Sequence, residues 1–113
     1  MENKAVREIR YETENLSTVI SPEVFRECNR LQLIVLPEKL EKVGPRAFYK
    51  CKELDGIQFP ATLKEIEEEA FYQNGLTELH LPNGLVKISD SAFFKCTQLE
   101  YVRIPESVKI IGK

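Results

Sequence analysis

The fold is decided by the stretch LPEKLEKVGPRAFYKCKELDGIQ, residues 36–58, because its pattern returns twice further along the chain. It is followed by FPATLKEIEEEAFYQNGLTELH at 59–80 and by LPNGLVKISDSAFFKCTQLEYVR at 81–103. The opening residues Leu36, Phe59, Leu81 and Ile104 are spaced by 23, 22 and 23 residues. A repeat of this length indicates a solenoid, in which each unit buries its apolar edge by stacking on its neighbours.

The middle unit is one residue shorter than the units on either side. The difference falls between Phe71 and Leu76, where Gln73-Asn74-Gly75 replaces Lys50-Cys51-Lys52-Glu53. Upstream, the same frame continues through Val24-Phe25, Cys28, Leu31 and Ile34. We therefore predict a single domain over residues 1–113, with an irregular N-terminal cap or first unit at 1–19, regular repeats at 20–103 and an incomplete last unit at 104–113.

Each unit contains an apolar pattern that predicts a strand, as in Leu54, Ile57 and Phe59. The last three positions alternate with a period of two, so one face of the strand points into the core. Proline follows directly and ends the strand, because it lacks an N–H and has a fixed φ. A second, shorter extended segment then returns to the interior. The Ala70-Phe71 pair and its equivalents are expected in a short helical or 3-10 turn.

The unit L-P-x-x-L-x-x-I-x-x-x-A-F-x-x-C-x-x-L-x-x-I-x resembles the BspA-type leucine-rich repeat over residues 20–111. This resemblance implies a leucine-rich-repeat solenoid, a β-rich right-handed coil with a parallel concave sheet and short helical or 3-10 turns on the other wall. Such repeats occur in bacterial surface proteins, commonly in adhesion, and have no associated catalytic residues. The resemblance therefore implies a non-catalytic protein-interaction module with a protein partner, and not an enzyme.

Composition and charge exclude several other classes. The 113 residues carry a formal net charge of −2 without a basic patch, which argues against nucleic acid as the partner. No apolar run approaches the roughly 18 residues of a membrane helix, so membrane insertion is not expected. The N-terminus shows no secretion signal. We expect a cytoplasmic protein, or a surface or secreted one if the chain is part of a longer protein.

A ladder of small polar and thiol side chains recurs at one corner of the repeat. It consists of Cys28, Cys51, Asn74 and Cys96. We expect these side chains to point inward and to bond to backbone groups that the coil leaves unpaired. A disulfide or a zinc site is the alternative, but no Cys-x-x-Cys spacing exists, and we predict no metal and no cofactor.

The outward strand positions form the predicted binding face. They are Leu33, Val35, Gln58, Glu78, His80, Tyr101 and Arg103. Solenoids present extended concave surfaces in this way, and a tyrosine beside an arginine is typical of interface hot spots. His80 is the only histidine, and a lone exposed histidine is more typical of a surface than of a catalytic site.

Two further features concern the opposite wall and the C-terminal end. A second ladder, Arg26, Tyr49, Tyr72 and Phe94, follows the core Phe; its aromatic rings are expected either to pack on one another or to form an exposed strip. In the incomplete last unit, Val108 and Ile111 have no following coil to cover them. The alternative function is therefore a structural or self-assembling segment that forms a homo-oligomer through this C-terminal edge.

Overall fold

The computed structural model describes residues 6–113 as a solenoid of about five coils, each with one longer and one shorter strand. The longer strands are β1 (Glu8–Arg10), β3 (Leu33–Val35), β5 (Gly56–Gln58), β7 (Glu78–His80) and β9 (Tyr101–Arg103). The shorter strands are β2 (Val19–Ile20), β4 (Lys42–Val43), β6 (Glu65–Ile66), β8 (Lys87–Ile88) and β10 (Ile110–Ile111). All pairings between these strands are parallel, as the repeat predicts.

The strands form two walls, which we call the short-strand wall and the long-strand wall. The short-strand wall is one continuous sheet in the order β10-β8-β6-β4-β2. The long-strand wall, the predicted concave sheet, consists of two separate pieces, β1-β3-β5 and β7-β9. Register is kept within each piece, with Ile34 opposite Ile57 and Leu79 opposite Val102. The long-strand wall is thus interrupted at the shortened unit.

The third side of the coil, the turn wall, differs from the sequence-based expectation. The described residues contain no helix here, and successive amides instead alternate between two kinds of acceptor. The Phe48 amide donates across to Ala70 O of the next unit at 2.8 Å, while the Tyr49 amide donates back to Arg46 O at 3.2 Å. Because every second amide bonds to the neighbouring unit, the turn wall holds the coils together, which a helical turn would not do.

This alternation depends on residues in the left-handed region of backbone conformation. Each regular unit has two of them, four residues apart, with φ between 51° and 61°. They are Glu23 and Glu27, Arg46 and Lys50, Glu69 and Gln73, and Ser91 and Lys95. None is glycine, so the left-handed conformation costs free energy at each of these positions. The hydrogen bonds to the neighbouring unit offset that cost.

The core contains a stack of phenylalanine rings along the solenoid axis. The rings of Phe25, Phe48, Phe71 and Phe93 follow one another with centroid separations of 5.3, 5.0 and 5.3 Å. Phe48 and Phe71 are fully buried, and the inward strand positions of the middle coils surround them. The Ala-Phe slot therefore fills the width of the coil as predicted.

The two ends of the solenoid are not equally covered. Ile20 and Ile111 occupy the same position in the first and last strands of the short-strand wall, yet Ile20 is 2% exposed and Ile111 is 59% exposed. The inward residues Val102 and Ile104 are likewise exposed, and Val108 is half-buried. The last coil therefore presents an apolar end face.

Candidate functional site

The interruption of the long-strand wall lies between β5 and β7. At the matching positions elsewhere, the amides of Leu33, Gly56 and Tyr101 donate to a carbonyl of the preceding unit at 2.9–3.2 Å. The amide of Glu78 has no such bond to the preceding unit within residues 6–113. Backbone pairing is therefore lost between β5 and β7, although it is kept between the longer strands of the neighbouring coils.

The side chain of Asp55 takes over part of the missing pairing. Its Oδ1 accepts hydrogen bonds from the Thr77 amide and from Thr77 Oγ1, both at 2.9 Å. At the equivalent position of the preceding unit, the Asp55 amide donates to a backbone carbonyl, Gln32 O. A carboxylate thus bridges the two halves of the wall where the strands themselves do not pair.

The shortened segment before β7 is held tightly in place. Buried Asn74 donates from its side-chain amide to Phe71 O at 2.7 Å, and its Oδ1 accepts from the Leu76 amide at 3.4 Å. A Cβ on Gly75 would come within 2.6 Å of Lys52 O, so only glycine fits this approach of the two backbones. These contacts fix the position at which the chain enters β7.

A groove of about 610 Å³ runs over the interruption. Five of the seven predicted binding residues line it, namely Leu33, Val35, Gln58, Glu78 and His80. Gly56 lies among them and contributes no side chain. The inward residue Ile57 is half-buried here, whereas Ile34 in the same slot is fully buried, because the groove opens beside β5.

The remaining two predicted residues lie next to the groove on the same face. Register places Tyr101 beside Glu78 and Arg103 beside His80. The Tyr101 ring lies 5.1 Å from the His80 ring, centroid to centroid, and His80 Nε2 is 2.9 Å from Glu78 Oε1. Glu78, His80 and Tyr101 therefore form one exposed polar and aromatic cluster at the edge of the groove.

The charge of the groove is acidic. Asp55 and Glu78 both line it, and Arg10 is its one arginine or lysine among the described residues. The Arg10 guanidinium forms an ion pair with Glu8 of the same strand. Glu78 contacts His80, and neither Asp55 nor Glu78 is paired with an arginine or lysine within residues 6–113.

The predicted ladder of thiols and asparagine lies along one corner of the coils. Cys51 Sγ donates to Phe25 O at 3.0 Å, and Cys96 Sγ donates to Phe71 O at 3.1 Å. Burial raises the pKa of the Cys96 thiol, opposed by backbone hydrogen bonds, which favours the neutral thiol at neutral pH. No group of three or more metal-ligating side chains occurs within residues 6–113. The structural role of this ladder stays a prediction.

The second ladder packs on itself along the turn wall. The Tyr49 and Tyr72 rings are stacked at 4.7 Å with planes 13° apart, and Phe94 follows Tyr72 at 5.8 Å. The Arg26 guanidinium lies over the Tyr49 ring at 5.1 Å. Because each ring covers the face of its neighbour, little aromatic face is left for a ligand, apart from Phe94 at the exposed end.

Sequence reasoning did not identify Asp55, Thr77 or Ile57 as parts of the site. Asp55 and Thr77 read as ordinary polar positions, and Ile57 as a core position. The one signal that points to them is the 22-residue spacing of the middle unit, since a shortened coil displaces one strand relative to its neighbour.

With this geometry, the class of protein follows from comparison with known families. The model of the BspA type leucine rich repeat region matches residues 14–113 in six copies. The chain therefore belongs to the BspA-type leucine-rich-repeat family. No curated protein matches the chain.

Solved structures of bacterial leucine-rich-repeat proteins share the fold. A leucine rich repeat protein of T. pallidum (TpLRR) has a TM-score of 0.90 at 28% identity, with 98% of this chain and 53% of that one covered. A leucine rich cell surface protein of Faecalibacterium prausnitzii has a TM-score of 0.84 at 26% identity, with 96% and 33% covered. A leucine-rich repeat protein of Bacteroides ovatus, at 21% identity and a TM-score of 0.68 over 96% and 40%, supports the fold alone.

The chain thus spans about half the length of the T. pallidum protein and a third of the F. prausnitzii protein. Within residues 6–113, no helix has the length and apolar character needed to cross a membrane.

Proposed function

We propose that this chain is a non-catalytic protein-interaction module that binds a protein partner through its long-strand wall. The contact residues are Leu33, Val35, Gln58, Glu78, His80, Tyr101 and Arg103. The observation that carries the proposal is the groove at the interruption, where five of these seven side chains meet. The similar F. prausnitzii protein is a leucine rich cell surface protein, and we extend that setting to this chain as part of the proposal.

The chemistry of the wall favours binding over catalysis. His80, the only histidine, contacts Glu78 and Tyr101 on the outside of the coil. The thiols of Cys51 and Cys96 instead donate to backbone carbonyls at a different corner. A nucleophile and a base must lie within hydrogen-bond reach to act together, and these do not.

The proposal is tested by removing the exposed side chains of the wall. Wild type and the double variant His80→Ala/Arg103→Ala are each immobilised and exposed to bacterial surface extract. The variant should capture at least about tenfold less of the partner than wild type, as expected when interface hot spots are lost. The matched control Glu38→Ala/Lys109→Ala changes two exposed residues outside the wall and should recover it fully. Equal recovery by all three proteins would contradict the proposal.

We propose self-association through the C-terminal coil as the second candidate function. It is carried by the contrast between Ile111, 59% exposed, and Ile20, 2% exposed, in equivalent positions. Burying Ile111 and Val108 against a second copy would remove this apolar surface from water. A two-fold pairing of C-terminal ends closes as a dimer, whereas head-to-tail stacking would extend into fibres.

Light scattering at increasing concentration tests the second candidate. Wild type should show the mass of a dimer, and Ile111→Asp should show that of a monomer. The control Leu16→Asp changes a residue that is 75% exposed in the N-terminal part of the chain and should still dimerise. A wild-type protein that stays monomeric at high concentration would rule out this association.

A further inference from the structure

We infer that the groove at the interruption binds an extended peptide segment in which an apolar side chain is followed by a basic one. This inference rests on the proposed function, and it specifies the kind of partner and the position at which it binds. Three observations lead to it: a backbone amide without its usual acceptor, an apolar floor without a central side chain, and an acidic rim whose carboxylates are not paired with an arginine or lysine.

A backbone hydrogen-bonding group is available at the interruption. Gly56 and Tyr101 stand at positions equivalent to Glu78, and their amides donate to the preceding unit at 2.9 and 3.2 Å. The amide of Glu78 has no backbone acceptor across the interruption in the part of the chain described here. An extended peptide carries both donors and acceptors along its backbone, and such edges commonly bind peptides by adding main-chain hydrogen bonds.

The floor of the groove fits one apolar side chain. Gly56 contributes no side chain at its centre, and the flexible end of Leu33 lies beside it, since a Cβ on Gly56 would be 2.8 Å from Leu33 Cδ1. Ile34, Val35 and half-buried Ile57 complete the apolar part of the lining. The volume of about 610 Å³ lies within the range of roughly 300–1,000 Å³ found for ligand pockets. An aliphatic side chain placed over Gly56 would contact Leu33.

The rim of the groove selects the neighbouring residue by charge. Asp55 and Glu78 are exposed carboxylates, and the only cation of arginine or lysine type in the described lining, Arg10, is paired with Glu8. A lysine or arginine on the peptide would supply the missing positive charge. Charge complementarity of this kind mainly gives specificity and faster association, so binding should weaken as salt is added.

The test uses a synthetic probe, the fluorescent peptide acetyl-Ser-Thr-Leu-Lys-Val-Arg-Ser-Thr-amide, with binding followed by fluorescence anisotropy. Two matched peptides replace either the aliphatic residues by serine or the basic residues by glutamate. Wild type should bind the first peptide at least about tenfold more tightly than either of the others, because each replacement removes one of the two recognition elements. Equal affinity for the glutamate peptide would overturn the inference.

Variants of the protein locate the site. Gly56→Val fills the groove, and its Cβ meets the flexible end of Leu33, so the fold should be retained. It should bind the probe about tenfold or more weakly, whereas Ala61→Val, at an exposed position outside the groove lining, should bind it as wild type does. Thermal unfolding checks that both are folded, and Glu78→Lys gives an independent loss if Gly56→Val unfolds. Undiminished binding by a folded Gly56→Val, or by Glu78→Lys, would overturn the inference.

The outcome also separates this inference from the proposed function. If wild type binds none of the peptides, yet partner capture still depends on His80 and Arg103, the extended-peptide inference fails and the proposed function stands. If capture is also independent of those two residues, both fail.

Discussion

The two strand walls of the same coils respond differently to one missing residue. On the short-strand wall, Val43, Ile66 and Ile88 pair in unbroken succession across the middle units. On the long-strand wall, pairing stops between Gly56–Gln58 and Glu78–His80. The deletion lies in the segment that leads from the turn wall to the long-strand wall, so its effect is confined to the strand that follows. A local change in a repeat can therefore alter one surface without disturbing the stack.

This difference separates the parts of the coil that stabilise it from the parts that are free to vary. Three features continue from unit to unit without a break: the phenylalanine stack, the short-strand wall and the turn wall. The long-strand wall loses one step of pairing and exposes backbone groups and part of Ile57 there. In a solenoid held by nearest-neighbour interfaces, such a loss is tolerated when the other walls are intact.

The largest effect is expected from removing the core that both walls share. Phe71→Ala should destabilise the protein by about 3–5 kcal/mol, because the ring is fully buried between Phe48 and Phe93. Phe93→Ala should cost less, since that ring is only half-buried near the open end. Urea unfolding measures both. A change within about 0.5 kcal/mol for Phe71→Ala would show that the ring is not part of the core.

A smaller effect is expected from the shortened segment. Asn74→Ala should cost about 1–3 kcal/mol, because the buried Leu76 amide loses its acceptor and Phe71 O keeps only the weaker thiol donor of Cys96. Asn74→Cys restores the residue type found at Cys51 and Cys96 and should recover part of the loss. The exposed change Thr97→Ala is the control. If Asn74→Ala unfolds at the same urea concentration as this control, the segment is not fixed by that side chain.

The smallest effect on stability is expected at the bridge across the interruption. Asp55→Ala removes both hydrogen bonds to Thr77, but the site is exposed, so the loss should be under about 1 kcal/mol. The amide of Thr77 should nevertheless exchange with solvent several times faster. Glu53→Ala, another exposed carboxylate nearby, should leave that exchange rate unchanged. An unaltered Thr77 rate in Asp55→Ala would mean that the carboxylate does not bridge the two halves.

The fold was predictable from the sequence because the same apolar pattern recurs in each repeat. The alternation of Leu54, Ile57 and Phe59, and the proline that follows, recur in each unit and predict parallel strands directly. The turn wall was not predictable in the same way. Its left-handed positions are occupied by residues such as Lys50 and Glu69, which carry no conformational signal of the kind that glycine gives.

The candidate site was only partly predictable for a related reason. Period-two alternation places Leu33, Val35, Gln58, Glu78 and His80 on one face, and these residues do line the groove. The interruption itself depends on whether two strands remain within hydrogen-bond reach, a distance that no residue pattern specifies. Asp55 enters the site only because that pairing is lost.

Amide hydrogen exchange of Glu78 tests most directly whether the missing residue opens the long-strand wall. The comparison is between wild type and a variant in which Gln73-Asn74-Gly75 is replaced by Lys-Cys-Lys-Glu, the sequence of residues 50–53. If the shortened segment causes the interruption, the Glu78 amide should exchange at least about tenfold more slowly in the variant, because it regains a backbone acceptor in the preceding unit. The Gly56 amide, already bonded to Gln32 O at 2.9 Å, should be unchanged. Equal exchange of Glu78 in the two proteins would contradict this explanation of the groove.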